Sequence, residues 1–451
     1  MEFNFPLINL LLLITAAFIA GLFFISGYIS LKENEKRAST IFLVAGLFII
    51  LVYGLICFTN FEFIKWVLLV LPYLVGLDFL IPSFNKKSES PSLGKKRIDE
   101  RDVMFSRRLL KEGTENYNNY YKRFPDRKII DDNIRSKPGL LSEDSKFYNV
   151  LSFAAANASF KSVKSLVSEI DGPVAKKTAE IPPEKLTHFV INWTKHLGAL
   201  DVGITPLQDY HLYSYRGRNH NYGNEVNHEH KYAIAFTVEM DKEMMDAAPM
   251  GPTVMESAYK YMDAGVIAVQ LSWFIRNLGF EARAHIDGNY EVVCPLVARD
   301  AGLGDIGRIG LLMTPKLGPR VRIGVVTTNI ELETDEGNAD VSMLDFCARC
   351  KKCAAVCPSN SISFSDREEI DGVKRWQINQ ESCYDFWCTF GTDCGRCVSV
   401  CPYSHPDNFL HRIVRLGIKN SLLVQKFAVP LDDFFYGKKP KPKPIPDWMK
   451  N

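Results

Sequence analysis

Cysteine is the residue whose spacing carries the clearest chemistry in this chain. Nine of the eleven cysteines lie between positions 347 and 401, seven of them in two runs. The first reads Cys347-Ala-Arg-Cys350-Lys-Lys-Cys353-Ala-Ala-Val-Cys357-Pro358, a complete C-x2-C-x2-C-x3-C-P. The second, Cys394-Gly-Arg-Cys397-Val-Ser-Val-Cys401-Pro402, repeats its last three positions, with Cys383 upstream as a candidate fourth ligand. Thiolates at this spacing suit iron–sulfur clusters, because soft sulfur neutralises and delocalises the charge of the iron. In paired runs the fourth cysteine of each crosses to the other cluster. That rule predicts Cys347, Cys350, Cys353 and Cys401 on one 4Fe–4S cluster, and Cys383, Cys394, Cys397 and Cys357 on the other. Zinc knuckles would leave the third and fourth cysteines and both prolines unexplained. Crowding into one segment also argues against a secreted disulfide scaffold. Cys57 and Cys294 read as packing residues, and Cys388 lies too close to Cys383 for both to serve.

Residues 346–405 are thus predicted to form a two-cluster domain, and the rest of the chain must hold what that domain serves. At 451 residues, 47% hydrophobic and 24% charged, there is room for a membrane anchor and two soluble domains. A formal net charge of +2 gives no argument for a nucleic-acid partner.

The apolar runs Leu7–Ile29, Ser39–Phe58 and Ile64–Ile81 are of about spanning length, which predicts a three-helix anchor over residues 1–84. Three runs exceed what a cleaved signal peptide would show. The loop Lys32–Arg37 is basic, the loop Thr59–Glu62 has no positive charge, and a string of lysines and arginines follows the third run. The positive-inside rule then puts the N-terminus outside and everything after Ile81 in the cytoplasm, on the inner membrane. No histidine precedes His188, so the anchor cannot build a bis-histidine haem site. Residues 85–100 read as a basic linker near anionic headgroups. Ser106-Arg-Arg-Leu-Leu-Lys111 has the letters of a twin-arginine export signal, but a polar stretch follows it, and it reads as two exposed arginines on a helix.

Between 101 and 345 helical and strand patterns alternate. Tyr232–Met240 and Val321–Thr328 are predicted strands. Thr253 and Glu256 form the pattern of a capping box opening a helix over Val254–Leu278, with Gly279 closing it. That helix is apolar nearly all round and should be buried. Gly302-x-Gly304-x-x-Gly307 matches a dinucleotide fingerprint by letters alone, with no clear strand before it. The glycines read instead as positions of close backbone approach. Residues 406–451 form a C-terminal extension whose Lys/Pro-rich end, Gly437–Asn451, is expected to be an extended arm.

An ordered set of segments between about Asp99 and His405 resembles the reductive dehalogenases, corrinoid and iron–sulfur enzymes. The set comprises Lys231-Tyr-Ala-Ile with Glu239-Met-Asp241, Ala248-Pro249, Glu256-Ser-Ala-Tyr259-Lys-Tyr-Met262 and Phe274-Ile-Arg-Asn-Leu-Gly279-Phe. It continues with Ala301-Gly-Leu-Gly-Asp-Ile-Gly-Arg308-Ile-Gly310, Gly318-Pro-Arg-Val-Arg322 and Asp345-Phe-Cys347. Epoxyqueuosine reductases share this domain and its clusters more distantly. The resemblance implies an α+β fold, with a nitroreductase-like corrinoid-binding domain over 101–345 beside the ferredoxin-like one, and a corrinoid without a protein lower ligand. It favours Cys383 over Cys388 as cluster ligand. It implies Tyr259 as proton donor, with Tyr261 as fallback, and Arg308 as the cation that holds the tyrosinate. Gly302, Gly304 and Gly307 would approach the corrin, His285 and Asn289 would line its pocket, and His211 would stand on the surface or a pocket wall. The implied reaction replaces a carbon–halogen bond of a small organohalide with carbon–hydrogen, using a low-potential electron donor. Family members usually carry a twin-arginine signal and pair with a separate anchor protein; here the anchor reads as fused, and Asp305 stands where glutamate is usual. Two other readings remain: a corrinoid reductase of a non-halogenated substrate, and a membrane-bound iron–sulfur electron carrier.

Overall fold

The computed structural model describes residues 7–80, 96–227, 229–335 and 342–450. The chain divides into two compact units, Met1–Lys87 with Asp407–Pro440, and Ser88–Pro406 with Lys441–Asn451. The predicted corrinoid and cluster domains therefore share one unit, while the C-terminal extension is split between the two.

In the first unit, α1 (Leu7–Lys32), α2 (Lys36–Cys57) and α3 (Glu62–Leu80) follow one another through short turns. Both α1 and α2 are long and apolar enough to cross a membrane. Their packing uses small residues: a Cβ on Gly46 would meet the Phe24 ring at 2.7 Å, so only glycine lets the helices approach this closely. The third predicted span is a helix of 19 residues carrying Glu62, Lys65 and Asp78, with Pro72 inside it. Its end at Ile81 and most of the predicted basic linker lie outside the described residues.

The second unit opens with the short helix α4 (Met104–Leu109), and later α5 (Val150–Ser165). Its antiparallel sheet joins β1 (Asp201–Pro206), β2 (Tyr232–Glu239), β3 (Ala282–His285) and β4 (Val321–Thr328) in the order β1-β2-β4-β3. Both central strands fall within a residue of their predicted bounds. They are apolar on both faces because both faces are covered. Ile234, Phe236 and Val238 join the core with the long helix α6 (Gly251–Asn277), while Ala233 and Ala235 join a second core with Val297 and Ala298 of α7 (Cys294–Asp300).

The predicted capping box does not form. Pro252 in the first turn starts α6 earlier, after Met250, whose side chain makes no cap. Thr253 Oγ1 turns to the Met244 carbonyl, and Glu256 accepts from the Asp241 backbone N–H at 2.6 Å. Gly279 does follow the helix end, in the left-handed region at φ +89°, where a Cβ would meet Thr178 backbone at 2.6 Å.

The cysteine runs are set on α8 (Ser342–Cys350) and α9 (Lys352–Val356), then α10 (Gln380–Phe390) and α11 (Arg396–Ser399). The chain returns to the first unit with α12 (Phe409–Asn420) and α13 (Leu422–Tyr436). The Lys/Pro-rich end is largely irregular, and Lys443 is tied to the second unit by its backbone N–H to the Asp246 carbonyl and its Nζ to the Asp246 carboxylate.

Candidate active site and cluster cavities

Two short helical pieces with a break between them turn the first cysteine run around a cavity. Lys351 takes the left-handed conformation between α8 and α9. The result is a cavity walled by Cys347, Cys350, Cys353 and Cys401. In the second run Cys394 and Gly395 are both left-handed, and a Cβ on Gly395 would meet Thr253 at 2.5 Å. That turn aims Cys394 and Cys397 into a second cavity with Cys357 and Cys383. Cys397 borders both cavities.

The donor chemistry suits metal clusters. Burial, with neighbouring thiols adding to it, pushes the Cys353 and Cys394 thiols up to about 12 and Cys383 up to about 11. Groups so reluctant to ionise become thiolates when a cationic metal centre binds them. Cys388 faces neither cavity. It is fully buried in an apolar cluster with Met104 and Ile134. Cys57 and Cys294 are buried packing residues, as their isolation in the sequence suggested.

The structure does not bring Tyr259 and Arg308 together. Tyr259 is 44% exposed, with the Lys260 ammonium over its ring. The Arg308 guanidinium is buried in the first cluster loop, where it donates to the carbonyls of Cys347, Ala348, Ser363 and Ser365 and lies over the Trp376 ring. It braces the backbone that carries the first cysteines.

A tyrosine–arginine pair occurs nearby. The Arg322 guanidinium sits 4.5 Å from the Tyr261 ring centre. Arg322 also donates to Asp393 at 3.1 Å and to the Ser257 hydroxyl, which in turn donates to Asp393. Arg322 pulls the Tyr261 phenol down, while burial and the Asp287 and Asp393 carboxylates push it up, and the outcome lies above the usual tyrosine range. Arg322 and Asp393 also wall the second cysteine cavity. Buried Arg322 Nε and Asp393 Oδ1 have no partner, so the site holds polar capacity that a ligand would satisfy. Four thiols in these walls fit an iron–sulfur cluster, and the guanidinium and carboxylate stand beside it.

Other expected positions serve the fold. A Cβ on Gly304 would meet the Met313 carbonyl at 2.1 Å, and one on Gly307 would meet the Met313 side chain at 2.5 Å. Gly302 takes φ +77° just after α7. The close approach is thus largely to the chain's own ribbon, Asp305–Ile306 paired with Leu312–Met313. A helix, α7, precedes these glycines where a dinucleotide site needs a strand. His285 is buried, its ring nitrogens engaged by Thr327 Oγ1 and the Glu291 N–H. Asn289 accepts from Arg216 and Arg283. His211 is fully buried between the Gln208 N–H and Asp300. Of the twin arginines, Arg107 is buried, paired with Asp131 at 2.6 Å and Glu381 at 2.9 Å. Its charge joins the start of the unit to α10, which carries Cys383.

Comparison with known proteins agrees with this arrangement. The 4Fe–4S dicluster domain family matches residues 346–405. The chain is 33% identical over 214 residues to a tetrachloroethene reductive dehalogenase of Sulfurospirillum multivorans, covering 46% of this chain and 42% of that protein. A tetrachloroethene reductive dehalogenase of Desulfitobacterium hafniense is 32% identical over 216 residues, 46% of this chain and 38% of its own. The chain thus spans less than half the length of these curated relatives. Among solved structures, a catabolic reductive dehalogenase in complex with 3-bromo-4-hydroxybenzoic acid shares the fold, with a TM-score of 0.63 at 23% identity over 79% of this chain and 49% of its own. A reductive dehalogenase whose structure bears on B12-dependent dehalogenation superposes with a TM-score of 0.59 at 25% identity, over 69% of this chain and 46% of its own. The cysteine cavities, the sheet and the aligned segments make this chain similar to the reductive dehalogenases over less than half of their length.

Proposed function

We propose that the protein is a membrane-anchored reductive dehalogenase that replaces a carbon–halogen bond of a small organohalide with carbon–hydrogen and releases halide. The observation that supports this most is that Arg322 and Asp393 wall the second cysteine cavity while the Arg322 guanidinium sits 4.5 Å from the Tyr261 ring centre. In this reading Cys347, Cys350, Cys353 and Cys401 hold one 4Fe–4S cluster, and Cys383, Cys394, Cys397 and Cys357 the other. A corrinoid and these clusters, when bound, supply low-potential electrons to the halogenated carbon.

The chain's own part is positioning and proton supply. The net exchange takes two electrons and one proton. Tyr261 is neutral at physiological pH, so its phenol can deliver that proton. The phenolate left behind is held by Arg322, whose charge does not depend on pH. Asp393 and Ser257 fix the guanidinium in place against the ring. Burial makes this pairing worth more than it would be in water.

The anchor reading extends α1 and α2 to a third span, α3, with the catalytic unit on the cytoplasmic face and a low-potential electron donor on the same side. Support comes from the positive charge at Lys32, Lys36 and Arg37 between the first two helices. Metal analysis of the purified, reconstituted chain tests the cofactor assignment. About eight irons and about one cobalt per chain are expected; eight irons without cobalt would make it an electron carrier.

A further inference from the structure

The first unit is built from both ends of the chain, and its C-terminal helices carry an unexplained surface. On α12, Phe409, Ile413 and Leu416 follow one another at i, i+4 and i+7, all exposed. On α13, Leu423, Phe427 and Phe434 continue the pattern at i, i+4 and i+11, again exposed, Phe427 by 59%. Residues at these spacings share one helix face. Opposite faces are packed down: His411, Gly417, Ile418, Gln425 and Ala428 are buried.

Where these helices attach decides what the apolar stripes meet. His411 Nε2 bonds Glu33, just past the end of α1, at 3.0 Å. Phe435 stacks on Phe42, near the start of α2, with ring centres 4.2 Å apart. Asn420 donates to the Phe79 carbonyl at 3.1 Å, and Ser421 bonds Asp78, both at the end of α3. In three helices joined by short turns, the end of the first, the start of the second and the end of the third lie on one side. All four attachments therefore fall on one end of the helical unit, beside Lys32, Lys36 and Arg37.

We propose that α12 and α13 lie in the membrane interface, their stripes sunk into the headgroup–acyl boundary of the leaflet at that end. This rests on the reading of α1 and α2 as membrane spans. An amphipathic pair fixed at the rim of spanning helices meets lipid at that depth, where apolar area and basic charge both favour binding. Exposed Lys426, with exposed Lys32, Lys36 and Arg37 at the same end, supplies charge that anionic headgroups attract. The chain would then grip the bilayer from both termini.

The test uses the full chain in lipid nanodiscs, with Phe427→Trp and, separately, Leu47→Trp at the middle of α2, where Leu47 is exposed. Each is compared with the parent chain in lipids brominated near the headgroup or near the chain terminus. Emission added by Phe427→Trp should be quenched at least about twofold more by shallow than by deep bromine, as an interfacial residue requires. Leu47→Trp should show the reverse order. Quenching of Leu47→Trp alone overturns the inference while leaving the spans in place. Loss of quenching in both overturns the membrane reading beneath it. A blue-shifted Phe427→Trp emission that bromine does not touch overturns it in favour of contact between two copies.

Discussion

At the scale of single residues, the account turns on which tyrosine gives the proton. Tyr261→Phe removes only a hydroxyl and keeps the ring under Arg322, so clusters and fold should persist while halide release falls by roughly 10²–10⁴, the usual worth of a general acid. Tyr259→Phe should release halide at the parent rate. Arg322→Lys keeps a charge but loses the planar fork that reaches Asp393 and Ser257, and its rate should fall between the parent and Tyr261→Phe. Because the Tyr261 phenol is held above its ordinary value, the acid form persists through neutral pH. Rates measured against pH should show no loss from this group until pH rises past about 10, the ordinary phenol value; a fall near neutral pH would point to a different acid. The sequence leaves the two tyrosines hard to separate for a physical reason. Two positions on a helix differ by about 200°, so Tyr259 and Tyr261 face opposite ways. Yet α6 is buried on nearly every side, and its even apolar pattern does not say which side is the cavity.

At the scale of elements, the cluster segment was legible because its information is local. A cysteine spacing, two prolines and a glycine specify helix, break and turn within a few residues. What was not legible depends on distant partners. The resemblance implied Arg308 as the cation for a tyrosinate, but its four acceptors come from the loops at 347–348 and 363–365. Arg308→Met would leave those carbonyls without their donor and should cost about 2–4 kcal/mol, read as a lower unfolding midpoint with earlier loss of the first cluster. The capping box failed likewise, since Glu256 is occupied by a backbone N–H ten residues outside its own helix. Cys383 and Cys388 separate on the same grounds. Cys383→Ser should remove one cluster's electron paramagnetic resonance signal, whereas Cys388→Ser should leave both and lower stability only modestly. The opposite pattern would reassign the upstream ligand.

At the scale of the whole molecule, the division into two units cuts across the order of the sequence. Helices from both ends of the chain make the apolar unit, while the basic tail beyond Pro440 belongs with the unit that carries the cysteine cavities. Hydropathy announces α1 and α2, but α12 and α13 are amphipathic and give no such signal, so the contribution of the C-terminus emerges only from packing. If the catalytic unit is cytoplasmic, protease added to intact spheroplasts should spare the chain after Arg101, and cut it once the membrane is opened. The central claim is the chemistry, and halide release tests it most directly. The purified full chain, reconstituted with corrinoid and both clusters and given a low-potential reductant, should release halide from a brominated or chlorinated aromatic or alkene panel, one halide for every two electrons consumed, with Tyr261→Phe nearly silent. A fully loaded protein that consumes no electrons with any organohalide, or a Tyr261→Phe chain that releases halide at the parent rate, would contradict it.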